Sequence, residues 1–147
     1  MALYDWLLQQ PLDQLAYNKS NYKTMEDKEA EIKYLFKQPE IAKRAFVETE
    51  KKHLELEQIE ERIDQLRNVW PKLRSRLQNH LLPTTKLKYL LEAANAPIRA
   101  HQIGISEEHL KRTIRAARFI RSRYTILDLL DQTGLLDKAL SEAQLPL

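Results

Sequence analysis

Five arginines lie close together in the last third of the sequence, and they are the residues best suited to binding chemistry. They are Arg112, Arg115, Arg118, Arg121 and Arg123. Guanidinium groups at this spacing can form a surface for phosphates or nucleic acid. They can also stabilise the carboxyl end of a helix and pair with carboxylates of neighbouring segments. A net charge of only +3, and Phe119 among the arginines, favour a packed interface and argue against nucleic acid as a partner.

The four histidines do not form a recognisable metal-binding pattern. His53, His80, His101 and His109 are separated in sequence, and none belongs to an HExxH motif. A metal site needs several converging ligands, and a chain without cysteine offers no thiolate. Two glycines are too few for a glycine-rich phosphate loop, and no serine lies in a nucleophile-elbow pattern. We therefore predict no catalytic, cofactor-binding or metal-binding residue in this chain.

The composition predicts a single all-α domain over residues 1–147, an irregular helical bundle of about six to seven helices. Good helix formers dominate the chain, whereas two glycines are too few for a parallel-sheet nucleotide-binding fold. The length suits one domain rather than two. The lack of cysteine argues against a disulfide framework. Because the sequence shows neither a membrane-spanning stretch nor a secretory signal, the expected location is the cytoplasm.

Capping residues and apolar spacing predict three helices in the first third of the chain. Residues 2–10 form a short, strongly apolar helix. A second helix begins after Thr24, which Asp27 follows at the spacing of a capping box. A third begins at Pro39, because the missing N–H of proline costs nothing in a first turn. The expected inward residues of the second and third helices are Ile32, Leu35, Phe36, Ile41, Ala45, Phe46 and Thr49.

The longest predicted helix covers residues 56–81. Its apolar residues are spaced by three and four throughout, namely Leu56, Ile59, Ile63, Leu66, Trp70, Leu73, Leu77 and Leu81. Such spacing is also typical of a coiled coil, but Pro71 should kink or split the helix, which favours a helix within a bundle. A shorter helix over residues 86–94 should bury Leu87, Leu90 and Leu91 and end at Asn95.

Residues 107–124 are predicted to form an amphipathic helix that contacts other segments on two sides. Ser106 is its cap, and Glu107 and Glu108 suit its amino-terminal dipole. Apolar residues occupy one arc of this helix and arginines another. Phe119 lies on the arginine side, where a helix with one packed face needs no large aromatic residue.

Residues 118–136 are predicted to be a structural hub rather than a chemical site. Thr125, followed three residues later by Asp128, starts a short helix. Gly134 ends that helix, since glycine readily adopts the left-handed conformation. A last short helix is expected over residues 135–143.

Four segments occur in the order and spacing of a known family. They are AANAP (residues 93–97), IGIS (residues 103–106), ARFIRSRYTILDLL (residues 117–130) and GLL (residues 134–136). Together they resemble the carboxy-terminal end of bacterial sn-glycerol-1-phosphate dehydrogenases, in the wider family of glycerol dehydrogenase, iron-containing alcohol dehydrogenases and dehydroquinate synthase. PEIAKRAFVETEKKH and WPKLRSRL also resemble the helical region of that family. Asn95 and Ser122 depart from it, since glycine and aspartate are more common there.

The resemblance implies a parent enzyme that interconverts dihydroxyacetone phosphate and sn-glycerol 1-phosphate with NAD(P), in phospholipid biosynthesis. In that family an amino-terminal α/β domain binds the dinucleotide, and an aspartate and two histidines hold zinc or nickel. None of these motifs is found here. By this resemblance the chain is the distal part of the helical domain, either a fragment or a stand-alone relative, without the amino-terminal dehydrogenase domain. We expect it not to be catalytic alone.

The first predicted helix carries more apolar side chains than one buried stripe can hold. In the parent, the excess would pack on the missing metal-bearing helices. Without them the segment must fold onto the core of its own chain, stay disordered or pack against a second copy. Because burying one such side chain is worth ~1.5–3 kcal/mol, we expect a homodimer through Leu3, Trp6 and Leu7. The alternatives to the dehydrogenase interpretation are a helical protein-interaction module that uses this helix and, on weaker grounds, a nucleic-acid binder.

Overall fold

The computed structural model describes residues 1–146 and confirms the prediction of an all-α helical bundle. The α-helices are α1 (Ala2–Leu7), α2 (Met25–Leu35), α3 (Pro39–Glu50), α4 (Leu56–His80), α5 (Thr84–Ala93), α6 (Glu107–Ala117), α7 (Ile126–Gln132) and α8 (Leu136–Glu142). Short 3-10 helices cover Leu12–Gln14, Lys19–Asn21 and Ala100–Ile103. Within the described residues there is no β-strand, and no helix combines the length and apolarity needed to cross a membrane.

The main core forms where α1, α4, α7 and α8 meet. Its buried residues are Ala2, Trp6, Leu7, Leu8, Leu12, Ile59, Ile63, Trp70, Leu129, Leu130, Leu136, Ala139, Leu140 and Leu145. The contribution of α4 is a stripe at helical spacing, and this stripe packs against the 3-10 helix Leu12–Gln14. The indole N–H of Trp70 donates to the backbone carbonyl of Gln10 at 3.3 Å. The three-and-four spacing of α4 is therefore satisfied inside one chain, as a bundle helix requires.

A second, smaller core lies between α2, α3 and the end of α6. Its buried residues are Ile32, Leu35, Ala45 and Phe119. Phe119 follows α6 directly and packs against the α2–α3 pair. The expectation that this segment contacts the protein on two sides is confirmed, because the apolar side of α6 meets the main core through Ile114.

Local sequence signals place most helix ends correctly. Capping boxes form at Thr24 with Asp27 and at Thr125 with Asp128, and the Ser106 hydroxyl accepts from the third amide of α6. Asn95, Gly104 and Gly134 all adopt left-handed backbone conformations, with φ of 54°, 73° and 70°. Asn95 follows α5 and Gly134 follows α7, as predicted from their residue types.

The predicted end of the helix over residues 107–124 is wrong. The observed helix, α6, ends at Ala117. Two side chains from the region of α3 bind the backbone groups that would form the next helical hydrogen bond. The carbonyl of Arg118, which would accept from residue 122 in a longer helix, instead accepts from Lys52. The N–H of Ser122 donates to the Glu48 carboxylate at 3.0 Å. Of the two effects predicted for Pro71, a split does not occur, because α4 continues as one helix through Pro71.

Two predicted inward residues are exposed. Ile41 of α3 is 42% exposed and Leu90 of α5 is 46% exposed. On α3 the inward stripe passes through Ala45 and Thr49, and Ile41 lies at its edge. Leu90 likewise lies at the edge of the α5 face that carries Leu87 and Leu91. α5 also begins at Thr84, two residues before the predicted start.

The first helix folds onto the core of its own chain, which is one of the three outcomes considered for it. Trp6 is 7% and Leu7 2% exposed, because α1 packs against α8 in the core of its own chain. The indole N–H of Trp6 donates to the Glu142 carboxylate at 3.0 Å. Leu3 is half-buried against the same core. The homodimer expected through Leu3, Trp6 and Leu7 therefore loses the exposed surface on which it was based.

Replacing Gly134 by alanine should lower the free energy of unfolding more than the same change at Gly104. At either position a left-handed L-residue costs about 1–2 kcal/mol. A Cβ at Gly134 would also lie 2.6 Å from Nδ2 of Asn21, whereas a Cβ at Gly104 meets no described atom within 4 Å. Urea denaturation measures both losses. Adding Asn21→Ala to Gly134→Ala should remove the extra loss of unfolding free energy that Gly134→Ala shows over Gly104→Ala. Equal losses in the two glycine variants would contradict this explanation.

Candidate functional site

A closed set of four charged side chains links α2, α7 and the end of α6. Arg118 is 3% exposed, and its guanidinium nitrogens lie 2.5 Å from Glu31 of α2 and 3.2 Å from Asp131 of α7. Lys23 reaches the same two carboxylates, at 3.1 Å and 2.8 Å. The two cations therefore alternate with the two carboxylates. We call these four residues the ion network.

The contacts of Arg118 with its carboxylates are held by charge rather than by hydrogen-bond geometry. Both terminal nitrogens are buried and lack an aligned hydrogen bond, although a carboxylate oxygen lies near each. Burying a charged group costs several kcal/mol in solvation free energy, which only closely placed opposite charges can offset. The ion network is therefore a strong constraint on how α2 and α7 approach each other.

Lys52 extends the ion network to the end of α3. Its ammonium lies 2.6 Å from Asp128 of α7 and also donates to the backbone carbonyl of Arg118. Asp128 additionally accepts from the backbone N–H and the hydroxyl of Thr125, both at 2.8 Å. One carboxylate thus caps α7 and ties it to the segment after α3.

The space enclosed beside the ion network is too small for a substrate. The cavity there has a volume of about 30 Å³ and is lined by residues that include Lys28, Thr49 and Asp128. Ligand pockets usually measure about 300–1,000 Å³, whereas one water needs about 30 Å³ of liquid volume. The charges are also paired with one another rather than directed at a ligand. The arrangement serves to hold helices together.

His53 lies next to Lys28 at the edge of this region. The Lys28 ammonium lies 2.6 Å from Nδ1 of His53, and Nε2 lies 3.6 Å from the Glu55 carboxylate. The ammonium can donate only to a ring nitrogen without a proton, which fixes the neutral tautomer with hydrogen on Nε2. Burial first, and the Lys28 charge second, lower the pKa of His53. Burial likewise lowers the pKa of Lys28.

The other arginines of the cluster divide into two groups. Arg112 donates to the carbonyls of Tyr34 and Leu35 at 2.9 Å and 3.0 Å, and so caps the carboxyl end of α2. Arg115 pairs with Asp137 at 2.5 Å. These contacts agree with the packed-interface interpretation. Arg121 and Arg123, in contrast, are exposed.

The histidines do not converge. His80, His101 and His109 are exposed, at the end of α4, in a 3-10 helix and in the first turn of α6. In residues 1–146 no group of three or more His, Asp or Glu side chains is placed to hold a metal ion. No metal-binding set can therefore be assembled from the residues that the structure describes.

A larger cavity of about 460 Å³ lies between α1, the end of α4 and the start of α5. Its walls include Asp5, which accepts from the N–H of Thr84 at 2.8 Å, and Glu142, which accepts from Trp6. The Nε of Arg74 and the hydroxyl of Thr84 are buried without a hydrogen-bond partner among the described residues. The walls thus carry both signs of charge, but these groups do not form a nucleophile–base pair.

Most of the ion network was not predicted from the sequence. A usable signal was present in α2, where Lys28 and Glu31 share a helical face with Leu35. The partners of these side chains could not be found in the same way, since Arg118 and Asp131 lie far away in the sequence.

No family model, curated protein or solved structure matches this chain. The resemblance to sn-glycerol-1-phosphate dehydrogenases therefore rests on the sequence segments alone. One of these segments, residues 117–130, contains Arg118, Tyr124 and Asp128.

Replacing Arg118 by alanine should destabilise the fold by about 3–5 kcal/mol, because Glu31 and Asp131 would keep only Lys23 as a partner. Arg118→Lys should recover part of the loss, since one ammonium replaces the planar fork of the guanidinium. Urea denaturation near pH 7 gives both values. Arg121→Ala is the matched control, and its effect should stay within about 0.5 kcal/mol. A similar loss in the two alanine variants would show that the ion network is not a constraint.

Part of the stability of the fold should be lost as the pH falls, because of His53. Its pKa is lowered in the folded state, so the unfolded chain binds the proton more readily. This share of the stability is complete above the unfolded pKa of about 6.5 and is lost as the pH falls below it. Urea denaturation between about pH 7.5 and pH 5 measures the slope. His53→Gln should flatten the slope relative to the control His80→Gln, and equal slopes would contradict the assignment.

Proposed function

We propose that this chain is the carboxy-terminal helical part of an NAD(P)-dependent, metal-dependent sn-glycerol-1-phosphate dehydrogenase. In this role it contributes no cofactor or metal ligand of its own. It forms a helical wall on which the dinucleotide-binding and metal-bearing part of the enzyme rests. The proposal is supported by the segments of resemblance and by the surface that borders residues 117–130.

That surface is an apolar groove along α4, with a volume of about 280 Å³. One wall consists of Leu66, Leu73 and Leu77 of α4, which are only half-buried. The other wall includes Tyr124 and Ile126, which belong to residues 117–130. Partly open apolar side chains along more than two turns of a helix are typical of a surface that another element covers.

The groove is held in a fixed shape. The guanidinium of Arg62 lies 4.3 Å from the centre of the Tyr124 ring, and the Tyr124 hydroxyl donates to Gln132 at 2.9 Å. Trp70 at its base is fully buried. A preformed apolar groove of this kind suits a permanent contact between two parts of one enzyme, because little side-chain freedom is lost when it is covered. This position beside residues 117–130 is the observation that carries the proposal.

The test supplies the missing part from another protein. Alone, with zinc or nickel, NADH or NADPH and dihydroxyacetone phosphate, the chain should not oxidise the cofactor above the blank. Mixed with a glycerol-1-phosphate dehydrogenase truncated before the matching helical part, it should associate and restore cofactor oxidation. Tyr4→Asp, which places a charge in the groove, should weaken association by about tenfold or more. The exposed Tyr89→Asp is the matched control.

Two outcomes would contradict the proposal. Turnover by the pure chain would mean that it carries its own catalytic site. Failure to associate with the truncated enzyme, measured by analytical ultracentrifugation, would mean that the groove along α4 does not receive such a domain.

A second candidate function is a helical protein-interaction module. In the form that uses the first helix it is not supported, because Trp6 and Leu7 are buried in their own chain. A different surface, the groove between α2 and α3, favours an interaction role and is independent of the dehydrogenase proposal.

A further inference from the structure

The groove between α2 and α3 combines an apolar floor with a basic rim. It has a volume of about 390 Å³ and is lined by positions 29, 32, 33 and 36 of the α2 segment and by positions 39, 42, 43 and 46 of α3. On each side this is the i, i+3, i+4, i+7 spacing of one helical face. Ile32, Phe36, Ala42 and Phe46 supply the floor. Because α2 and α3 are consecutive and joined by a short connection, they form a helical hairpin with a trough along its length.

The rim of this groove is positive. Lys33, Lys37 and Lys43 line it together with a single acid, Glu29. Glu29 is already paired with Lys33 at 2.6 Å. Among the described residues no carboxylate lies within ion-pair distance of Lys37 or Lys43, so these two ammonium groups face solvent without a partner.

We propose that the α2–α3 groove binds an acidic amphipathic helix of a partner protein. A helix laid on a helical hairpin packs its apolar ridge between the two lower helices, which is a common mode of peptide recognition. Its apolar face would cover the floor at Phe36 and Phe46. Its flanking Glu or Asp side chains would pair with Lys37 in the α2–α3 connection and with Lys43 of α3.

The shape of the groove argues against two other occupants with negative charge. A membrane surface is reached by apolar side chains that protrude, whereas Ile32 is fully buried and Phe36 and Phe46 are recessed to half-burial. Single-stranded nucleic acid stacks its bases on open aromatic faces along a track of many cations. The α2–α3 groove has three lysines and no arginine on its rim. An apolar helix with acidic flanks fits both the recessed floor and the rim.

A charge-randomised peptide library provides the probe. The displayed peptides are helices of about 18 residues, or five turns. Leu or Phe is fixed at i, i+3, i+4 and i+7, and Glu, Lys, Gln or Ala is allowed elsewhere. Selection on the full chain should enrich Glu beside the apolar positions. A selected peptide, labelled for fluorescence anisotropy, should bind with an affinity that falls as salt is raised, because the rim charges are exposed to solvent.

The decisive variant reverses the rim charges with Lys33→Glu, Lys37→Glu and Lys43→Glu. All three side chains are exposed, so the fold should be kept, which circular dichroism checks. Binding of the selected peptide should weaken by about tenfold or more. The matched control reverses three exposed lysines elsewhere, Lys72, Lys86 and Lys138, and should leave the affinity within about twofold.

The position of the bound peptide is read by NMR. Peptide addition should shift the Ala42 methyl resonance and the ring resonances of Phe36 and Phe46. The proposal is overturned if no peptide is enriched, if the enriched peptides are not acidic, or if the rim variant binds as well as the control. It is also overturned if the shifts lie elsewhere, or if anionic vesicles bind through these lysines while no peptide does.

Discussion

The burial of Arg118 is the constraint on which the rest of the structure depends. A guanidinium with 3% exposure must be surrounded by negative charge, and here that charge comes from Glu31 on α2 and Asp131 on α7. These carboxylates belong to helices far apart in the sequence. Pairing the charge of Arg118 therefore fixes the position of α2 against α7. Lys23, which precedes α2, pairs with the same two carboxylates.

The same residue also determines where α6 ends. An α-helix through residue 122 would need the Arg118 carbonyl for the Ser122 amide, but Lys52 and Glu48 take these two groups instead. Local propensity favoured continuation, and the periodicity of the sequence gave no warning. The starts of α2, α6 and α7 were predictable, because a capping side chain and the amide that it binds lie within four residues of each other, as at Thr125. This helix end was not, because its cause lies about seventy residues away.

The core and the candidate site were also predictable only where the cause lies close in the sequence. The three-and-four spacing of α4 predicted correctly that Ile59, Ile63 and Trp70 are inward, since spacing defines a face. It could not say what covers that face. The apolar excess of α1 was interpreted as a contact with a second copy, yet α8 covers it in the same chain. The ion network escaped prediction for the same reason, because charged residues on an amphipathic helix look alike until their partners are known.

The ion network and the α2–α3 groove share α2, and this gives the network a second consequence. Glu31 and Lys28 lie on one side of α2, and the groove positions 29, 32, 33 and 36 lie roughly a third of a turn away. A helix held by a buried charge on one side cannot rotate freely about its axis. The pairing of Glu31 with Arg118 therefore decides which side chains of α2 form the groove floor and which form its rim. In this fold a buried charge sets the shape of an exposed surface.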